Sequence, residues 1–365
     1  MRAALSLEPQ QPLVVEDITL SDPGEGQVIV RLDASAVCST DKLTLAGDRA
    51  APIAVVPGHS ATGVVEAVGH NTVKAQVGDR VVIAGSMECG SCYSCRQGTP
   101  SQCEKLWQDT FNPPHVGTTS HGLPLVGVGG VGTFSEYMTY YERNFAVVSS
   151  DLEPEHLALL GCGAISGVGA VIEVGQVKPG DDVLVLGCGH LGLWMIQAAR
   201  MAGAANIIAV EPLPARRELA GTLGATTVID PRNDDTAALV LAKTMGRGVD
   251  VALEATGAQG SVEDAFSLTR NGGIIVATSM VAPLQSSTVS LPSVPLSLFG
   301  KQVRGSQSGG GFLNRDLPRI ARLIERGKLD VAAMLSTTFT LDQADEAMQA
   351  AADRSLITGV VLTHA

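Results

Sequence analysis

The segment DVLVLGCGHLG, which runs from Asp182 to Gly192, is the part of the chain that decides the fold. Its first five residues predict a strand that is continuously apolar after Asp182, as in strands of a parallel sheet that is covered on both faces. The glycines that follow have the spacing G-x-G-x-x-G, and the apolar residues from Leu191 onward have helical spacing. A strand, a glycine turn and a helix in this order predict a binding site for the pyrophosphate of a dinucleotide at the helix N-terminus.

Each glycine of this loop has its own task in such a site. Gly187 permits the tight turn, Gly189 lets the backbone approach the pyrophosphate, and Gly192 lets the helix pack closely on the strand. His190 and Leu191 lie between these glycines. All five residues are therefore predicted to bind the cofactor.

An acidic residue supports this prediction. Glu211 lies about 20 residues beyond the loop, at the end of the next predicted strand. A carboxylate there can hold both ribose hydroxyls and repels a 2′-phosphate, which favours NAD(H). Arg216 and Arg217 argue the other way, because a nearby arginine can accommodate that phosphate. NAD(H) is the predicted cofactor, with NADP(H) less favoured.

The pattern on either side of the loop indicates two domains. From about residue 151 to residue 277, short apolar strands alternate with helical stretches, which is typical of βαβ units and a parallel sheet. The first 150 or so residues instead contain β-branched runs at 27–32, 63–68 and Arg80–Ala84, separated by Gly, Pro and Asp turns. They predict a mostly antiparallel β domain, to which the tail beyond about residue 305 returns.

Four cysteines form a compact cluster. Cys89, Cys92, Cys95 and Cys103 have the spacing C-x2-C-x2-C-x7-C. Four thiolates complete a tetrahedral zinc shell and leave no position for a substrate. Because no secretory signal is visible, metal ligation is favoured over disulfides. The cluster predicts a structural zinc.

Three further candidate ligands are dispersed along the chain: Cys38, His59 and Cys162. Taken singly, each could equally be a small buried residue or a core histidine. If the fold brings them together, three ligands would leave one zinc position open for a water or a substrate oxygen. A closed site, a candidate open site and a nucleotide loop in one chain point to metal-assisted redox chemistry.

Composition narrows the class of protein. The 365 residues suffice for about two domains, and 45% of them are hydrophobic, which is typical of an ordered chain. The net charge is −12 and no Lys/Arg cluster stands out, which argues against a nucleic-acid partner. No run of ~18 or more uncharged apolar residues is present, so no membrane span is predicted. The predicted location is the cytoplasm.

The order of the motifs resembles that of the zinc-dependent medium-chain dehydrogenase/reductases of the alcohol dehydrogenase family. The motifs are the Cys38 segment, Gly58-His59, Gly78-Asp79-Arg80-Val81, the four-cysteine cluster, Gly161-Cys162-Gly163 and the glycine loop. The resemblance covers essentially the whole chain. It implies an α/β fold with a GroES-like β domain and a Rossmann domain with a doubly wound parallel sheet. The predicted limits are 1–163 and 307–365 for the first, with a zinc lobe at about 85–108, and 164–306 for the second.

The resemblance also implies functional roles. Cys38, His59 and Cys162 match the catalytic zinc ligands, so that each chain would hold one catalytic and one structural Zn²⁺. Asp41 matches the acid that orients the liganding histidine, and Thr40 matches the hydroxyl residue that bonds the substrate oxygen and begins a proton relay. The implied reaction is hydride transfer between an alcohol (or aldehyde/ketone) and NAD(H). A homo-dimer or homo-tetramer is expected, through the Rossmann sheet edge near residues 288–298.

Three positions depart from the family pattern. Ser60 follows the liganding histidine where the family usually has Glu, and Leu43 stands where many members have a relay histidine. Gly85 aligns with a frequent bulky aromatic residue, which predicts a roomier pocket. Because of Ser60 and Leu43, an alternative is a reductase of a polarised C=C or C=N bond with a weakened or absent catalytic zinc. A protein that binds the nucleotide without turnover is the third possibility.

Overall fold

The chain forms two compact units. The computed structural model describes residues 1–45, 53–279 and 287–365, without the side chains of residues 42–44. The first unit comprises Met1–Cys162, Gly311–Gly327 and Val331–Ala365, and the second comprises Gly163–Gly310 and Lys328–Asp330. The predicted domain limits, 163/164 and 306/307, lie one and four residues from the corresponding limits of these units.

The described residues form strands and helices in the following order. The strands are β1 Arg2–Leu5, β2 Val14–Leu20, β3 Gln27–Ala36, β4 Ala54–Val56, β5 Ser60–Val68, β6 Arg80–Ala84, β7 His115–Thr119, β8 Pro124–Gly127, β9 Tyr137–Tyr141, β10 Phe145–Val147, β11 Asp182–Leu186, β12 Asn206–Val210, β13 Thr227–Ile229, β14 Val249–Glu254, β15 Thr269–Ala277, β16 Gln302–Gly305, β17 Thr337–Thr340 and β18 Gly359–Leu362. The α-helices are α1 Ser39–Leu45, α2 Tyr93–Arg96, α3 Glu104–Phe111, α4 Pro154–Leu157, α5 Ile165–Gly169, α6 His190–Ala202, α7 Pro214–Leu223, α8 Thr236–Lys243, α9 Ser261–Leu268, α10 Ser293–Ser297, α11 Leu313–Glu325 and α12 Ala344–Ala352.

The first unit is built from two sheets. One has the strand order β1-β2-β7-β8-β4, and the other has the order β10-β6-β5-β3-β18-β17, with β9 also paired to β3. Most pairs are antiparallel, as predicted, although β4 pairs with β8 and β17 pairs with β18 in parallel. Alternate residues of β3 point into the core, among them Val28, Val30 and Leu32. The C-terminal strand β18 lies antiparallel to β3, so the tail returns to this unit.

The second unit is a doubly wound parallel sheet with helices between the strands. Its strand order is β13-β12-β11-β14-β15-β16, and all five neighbouring pairs are parallel. The order reverses between β11 and β14, and ligands of such sheets bind beyond the carboxyl ends of the strands at that point. Gly187 follows β11 directly and therefore lies at this position. The predicted α/β fold is confirmed.

Most helices begin or end within a residue or two of the limits that the sequence pattern predicts, and two of the differences have local reasons. A helix predicted at 237–245 is α8, which begins one residue earlier because the Asp235 side chain accepts the Ala238 N–H as an N-cap. A helix predicted at 317–325 is α11, which begins at Leu313 and contains Pro318. Proline lacks the N–H that a helix interior needs, so a helix would ordinarily be expected to begin near Pro318. Burial of the apolar face of α11 instead stabilises a helix that contains the proline.

One helical run passes a membrane-span test by length and composition alone. It extends over Pro154–Val174, and 67% of its apolar window is buried inside the protein. Such burial is typical of a core helix. The run contains π-helical turns at Leu160–Ala164 and Ala170–Val174. π-helical turns are rare and frequently occur at functional sites.

Candidate metal centres and cofactor site

The three dispersed candidate ligands meet within the first unit. Cys38 precedes α1, His59 precedes β5, and Cys162 lies in the π-helical turn Leu160–Ala164. Their ligand atoms all lie within 4.8 Å of one another. The distance between His59 Nε2 and Cys162 Sγ is 3.2 Å. The fold therefore brings together residues that the sequence separates by up to 124 positions, since 162 − 38 = 124.

A buried carboxylate orients the histidine. Asp41 is fully buried in α1, and its Oδ1 lies 2.7 Å from His59 Nδ1 and 3.2 Å from the Gly58 N–H that donates to it. The Oδ2 atom accepts the Cys38 N–H at 3.3 Å. With Nδ1 donating to Asp41, the lone pair of His59 is on Nε2, the atom that faces Cys162. The Asp41 carboxylate therefore contacts both the His59 ring and the backbone of the two segments that carry Cys38 and His59.

The pKa of each of the three candidate ligands depends on its neighbours in the centre. A hydrogen bond from the Cys162 thiol, with help from His59, holds the pKa of Cys38 well below its usual value. The same bond to Cys38, together with burial, raises the pKa of Cys162 well above its usual value. Burial opposes charge on His59, but the Asp41 carboxylate and Cys162 raise its pKa well above the ordinary range.

The chemistry and spacing of this donor set fit zinc. Two thiolates and one imidazole are zinc ligands, with Zn–S of about 2.3 Å and Zn–N of about 2.0 Å, so tetrahedral bonding needs an N···S separation of about 3.5 Å. The 3.2 Å between His59 Nε2 and Cys162 Sγ needs to widen by only a few tenths of an ångström. A three-ligand centre leaves one coordination position for substrate.

The four-cysteine cluster has the geometry of a closed centre. Its sulfur atoms also lie within 4.8 Å of one another. The Cys89–Cys95 and Cys92–Cys103 sulfur distances are 3.9 and 4.0 Å. Tetrahedral zinc with four thiolates needs about 3.8 Å between sulfurs, whereas a disulfide needs about 2 Å. The separations fit a metal and exclude disulfides between these pairs.

Thr40 and Gly85 both lie against the three-ligand centre. The half-buried Thr40 hydroxyl is hydrogen-bonded to the Cys38 thiol. A Cβ on Gly85 would lie 3.0 Å from Cδ2 of His59, so the missing side chain makes room for the ligand ring itself. The prediction of a roomier substrate pocket from Gly85 is not tested by this contact. The side chain of Leu43 lies outside the described residues.

Ser60, which follows His59 in the chain, is buried and hydrogen-bonded to the backbone of another segment. It is 1% exposed, and its hydroxyl donates to the Ala158 carbonyl at 2.6 Å. This bond joins β5 to the helical run that carries Cys162.

In the second unit, the glycine loop has the expected local structure. Gly187 has a φ of +89°, and a Cβ there would lie 2.9 Å from Cγ2 of Thr256. A Cβ on Gly192 would collide with the carbonyl of Gly187, as expected for close packing of α6 on the loop. Gly189 is the N-cap residue of α6, and the nearest atom to a Cβ there is Nη1 of Arg216, 3.6 Å away. The loop therefore leaves free space beside Gly189, where a pyrophosphate would approach.

His190 has a second contact that the motif does not indicate. Its imidazole lies where a side chain on Gly163 would otherwise be, so any larger residue at position 163 would collide with it. The ring also packs edge-on against Trp194, with centroids 6.4 Å apart. The start of α6 is thereby packed against Gly163, which lies within the π-helical turn Leu160–Ala164.

Glu211 is held beside the loop by backbone hydrogen bonds. It is 4% exposed, its Oε2 accepts the Cys188 N–H at 2.8 Å, and its Oε1 accepts the Leu213 N–H at 3.0 Å. The carboxylate therefore has a fixed orientation at the carboxyl end of β12.

The nearby arginines differ in their partners. Arg217 and Arg232 both pair with Asp230, at 3.1 Å each. Hydrogen bonding from Arg232 lowers the pKa of Asp230 to about 2. Arg216, by contrast, extends its guanidinium toward Gly189.

Sequence reasoning missed Glu254. This fully buried residue ends β14, and its Oε1 accepts hydrogen bonds from the Thr256 N–H at 2.7 Å, the Gly257 N–H at 3.0 Å and the Ser261 hydroxyl at 2.9 Å. Its Oε2 has no hydrogen-bond partner among the described residues. A Glu directly after an apolar strand, beside the sheet position where the strand order reverses, was the available signal.

Comparisons with known proteins agree with this geometry. Residues 24–150 match the family model of the alcohol dehydrogenase GroES-like domain, and residues 191–326 match that of the zinc-binding dehydrogenases. An S-(hydroxymethyl)glutathione dehydrogenase of Synechocystis sp. is 32% identical over 99% of this chain and 99% of its own. The chain belongs to the zinc-dependent alcohol dehydrogenase family of medium-chain dehydrogenase/reductases.

Two solved structures extend the likeness. An alcohol dehydrogenase zinc-binding domain protein from Burkholderia ambifaria superposes with a TM-score of 0.94 at 29% identity, over 100% of this chain and 99% of that one. A benzyl alcohol dehydrogenase from Acinetobacter calcoaceticus gives 0.90 at 28% identity, over 99% and 98%. The GroES-like and Rossmann domains predicted from the sequence are confirmed.

Family membership establishes the class of activity. This chain is a zinc-containing alcohol oxidoreductase. It uses a nicotinamide cofactor and acts on small-molecule substrates. The alternative of a C=C or C=N reductase with a weakened or absent catalytic zinc gains no support from these comparisons.

Proposed function

We propose that the first unit performs its chemistry at Cys38, His59 and Cys162, which act as the ligands of a catalytic zinc. The observation that carries this assignment is the convergence of the three ligand atoms within 4.8 Å, with Asp41 fixing the imidazole. Cys89, Cys92, Cys95 and Cys103 bind a structural zinc, because four ligands leave no position for a substrate.

Different residues have different proposed roles in hydride transfer. Cys38, His59 and Cys162 would hold a zinc that would supply Lewis-acid polarisation of an alcohol or carbonyl oxygen, and the glycine loop would hold the nicotinamide cofactor that would exchange the hydride. Asp41 keeps His59 oriented and supports its basicity as a ligand. The Thr40 hydroxyl, which bonds the Cys38 sulfur, has lone pairs left to accept the hydrogen bond of a substrate hydroxyl and to pass its proton outward.

The cofactor is proposed to be NAD(H), bound by the glycine loop of the second unit. Glu211 presents a fixed carboxylate next to the loop, where it can accept bonds from the adenosine ribose. Asp230 neutralises Arg217 and Arg232, which lowers their capacity to hold a 2′-phosphate. Arg216 lies closer to Gly189 and would instead contact the pyrophosphate. Gly187, Gly189, His190, Leu191 and Gly192 complete the proposed cofactor site.

Primary alcohols are the proposed substrate class. The relatives named above act, by their names, on S-(hydroxymethyl)glutathione and on benzyl alcohol, both of which carry a CH₂OH group. These two compounds, with simple aliphatic alcohols, form the first panel to test. The proposed location is the cytoplasm.

A homo-oligomer is proposed through the edge of the second unit's sheet. Among the residues that the structure describes, the edge strand β16 pairs only with β15. Val303 of this strand is an exposed apolar residue, and the segment before the strand adds Val294, Leu296, Leu298 and Phe299. A second copy that pairs at this edge would bury these side chains. Measurement of the mass in solution tests this, with Val303→Glu expected to weaken association and a monomeric wild type contradicting it.

The test of the proposed function is turnover together with metal content. Protein loaded with zinc should reduce NAD⁺ in the presence of at least one primary alcohol of the panel and should contain two zinc ions per chain. Cys38→Ser, in contrast, should retain the four-cysteine zinc and lose turnover. Full turnover by folded protein that demonstrably holds only the four-cysteine zinc would contradict the assignment of the three ligands.

A further inference from the structure

We propose that Ser60 is a positioning residue of the three-ligand centre, whose hydroxyl fixes the segment that carries Cys162 to the segment that carries His59. The inference rests on the proposed function, since it assumes that these ligands share a metal. It assigns a role to the position at which the chain departs from the family pattern.

The geometry of the bond supports this role. Ser60 directly follows His59, is 1% exposed, and donates to the Ala158 carbonyl at 2.6 Å. Ala158 lies four residues before Cys162, about one helical turn away. Next to the bond, a Cβ on Gly161 would lie 2.9 Å from Ser60 Oγ and would collide with the Ile83 carbonyl. The helical run therefore lies directly on the sheet at this point.

The segment that carries Cys162 needs such a fixation. Cys162 belongs to the π-helical turn Leu160–Ala164. Two residues in a turn separate it from the short helix α4. A π turn inserts an additional residue and disturbs the regular hydrogen-bond ladder of the helix. A donor from outside the helix fixes the entry to the turn, and with it the direction of the Cys162 side chain.

Asp41 and Ser60 act in series. Asp41 connects the Cys38 N–H with Gly58 and His59, and thus joins the first ligand segment to the second. Ser60 joins the second segment to the third through Ala158. Two buried polar side chains thus link all three ligand-bearing segments, which is the arrangement that keeps metal ligands in register.

The backbone of Ser60 is itself fixed from the opposite side. Its carbonyl accepts a hydrogen bond from the Ser35 hydroxyl at 3.4 Å, and Ser35 Oγ lies 2.6 Å from Thr133 Oγ1. Both of these residues are fully buried. These contacts hold the backbone of Ser60 in place, so the hydroxyl that donates to Ala158 has a fixed origin.

The chemistry of the residue also decides its role. The partner at Ala158 is a carbonyl, which only accepts, so the side chain at position 60 must donate. An ionised glutamate has no donor and could not make this bond. Ser60 therefore has a different role from the glutamate that the family usually has after the histidine. Its presence at this position is compatible with a bound metal at the three-ligand centre.

The test compares Ser60→Ala with Thr62→Val in the full-length protein. Thr62 lies two residues further on the same face of β5, is fully buried, and its hydroxyl donates to the Val81 carbonyl at 2.9 Å. Both changes remove one buried hydroxyl-to-carbonyl bond from the same strand. Of the two, the Ser60 bond alone reaches a ligand-bearing segment.

Co²⁺ replaces zinc as the probe, because its absorption bands distinguish a four-sulfur centre from a centre with two sulfurs and one nitrogen. Affinity at each centre is measured by competition with a chelator, and unfolding temperatures are recorded in parallel. In Ser60→Ala we expect the three-ligand centre to bind Co²⁺ about 10- to 100-fold more weakly, with a changed absorption band. The four-cysteine centre should be unaffected, and Thr62→Val should match the wild type at both centres.

The outcomes separate the two proposals. Wild-type affinity and spectrum in folded Ser60→Ala, or an equal loss in Thr62→Val, would overturn the role of Ser60. A wild type that binds one Co²⁺ per chain, at the four cysteines only, would overturn the proposed function and with it the inference. If Ser60→Ala does not fold, Ser60→Gly, which also removes the hydroxyl and adds no metal ligand, is measured instead, and wild-type affinity there counts against the proposal.

Discussion

Glu211→Gln is the sharpest test of the cofactor assignment. In the wild type, the two carboxylate oxygens accept the Cys188 N–H at 2.8 Å and the Leu213 N–H at 3.0 Å. The amide keeps the shape of the side chain but replaces one acceptor oxygen with an NH₂ group, which would face a backbone donor. The change also removes the negative charge that is proposed to bind the ribose hydroxyls and to repel a 2′-phosphate.

The size of the effect follows from the bond that is lost. A hydrogen bond to a charged group contributes about 1.5–3 kcal/mol, and every 1.4 kcal/mol corresponds to a factor of ten in affinity. The Kd for NADH should therefore rise by about 10- to 150-fold. The Kd for NADPH should change less or fall, since the repulsion disappears while Arg216 remains beside the loop.

Both dissociation constants are measured by calorimetric titration of the folded variants. Glu218→Gln is the matched control, because this exposed residue of α7 undergoes the same loss of charge outside the predicted cofactor site. The control should bind both cofactors as the wild type does. Unchanged NADH affinity and an unchanged preference over NADPH in folded Glu211→Gln would refute the proposed role of Glu211.

Three further predictions concern the first unit. Asp41→Asn should lower Zn²⁺ affinity at the three-ligand centre about 10- to 100-fold, because the buried acid no longer orients His59, and chelator competition measures this. Cys103→Ser should remove one zinc per chain and expose α3 to proteolysis, as mass spectrometry of limited digests would show. Burial lowers the pKa of Lys74 to about 8 from 10.5, so the unfolded chain binds more protons between these values and wild-type stability should rise with pH there. Denaturation by urea should show this gain, of about 3 kcal/mol, and Lys74→Met should lack it.

Each of these predictions has an outcome that contradicts it. Retention of both metals at wild-type affinity in Asp41→Asn would exclude an orienting role for the acid. Two zinc ions in Cys103→Ser would exclude that cysteine as a ligand. For Lys74, an identical pH dependence of the free energy of unfolding in wild type and Lys74→Met would show that this lysine does not titrate in that range.

Local signals in the sequence predicted much of the fold. The glycine loop, its flanking strand and helix, and the alternation that follows depend on short-range chemistry, and the second unit has the parallel sheet that they predict. The four-cysteine cluster is equally local, since its spacing alone brings four sulfurs together. The short strands of the first unit, such as β7 to β10, were missed because their pairing partners are distant in the chain and their patterns are brief.

Long-range contacts explain what the sequence could not predict. Ser60 suggested a weakened centre, because the sequence shows only that a glutamate is missing and not that Ala158 offers an acceptor. The packing of His190 on Gly163 and the unpartnered oxygen of Glu254 likewise depend on segments that only the folded chain brings together. The roles of Cys38, His59 and Cys162 came from resemblance, since their spacing alone allowed ordinary core residues.

The most direct test of the metal centre is anomalous scattering from crystals of fully loaded protein at the zinc absorption edge. The proposed function predicts two peaks per chain, one among the four clustered cysteines and one bonded to Cys38 Sγ, His59 Nε2 and Cys162 Sγ. A single peak, at the four cysteines, would contradict it.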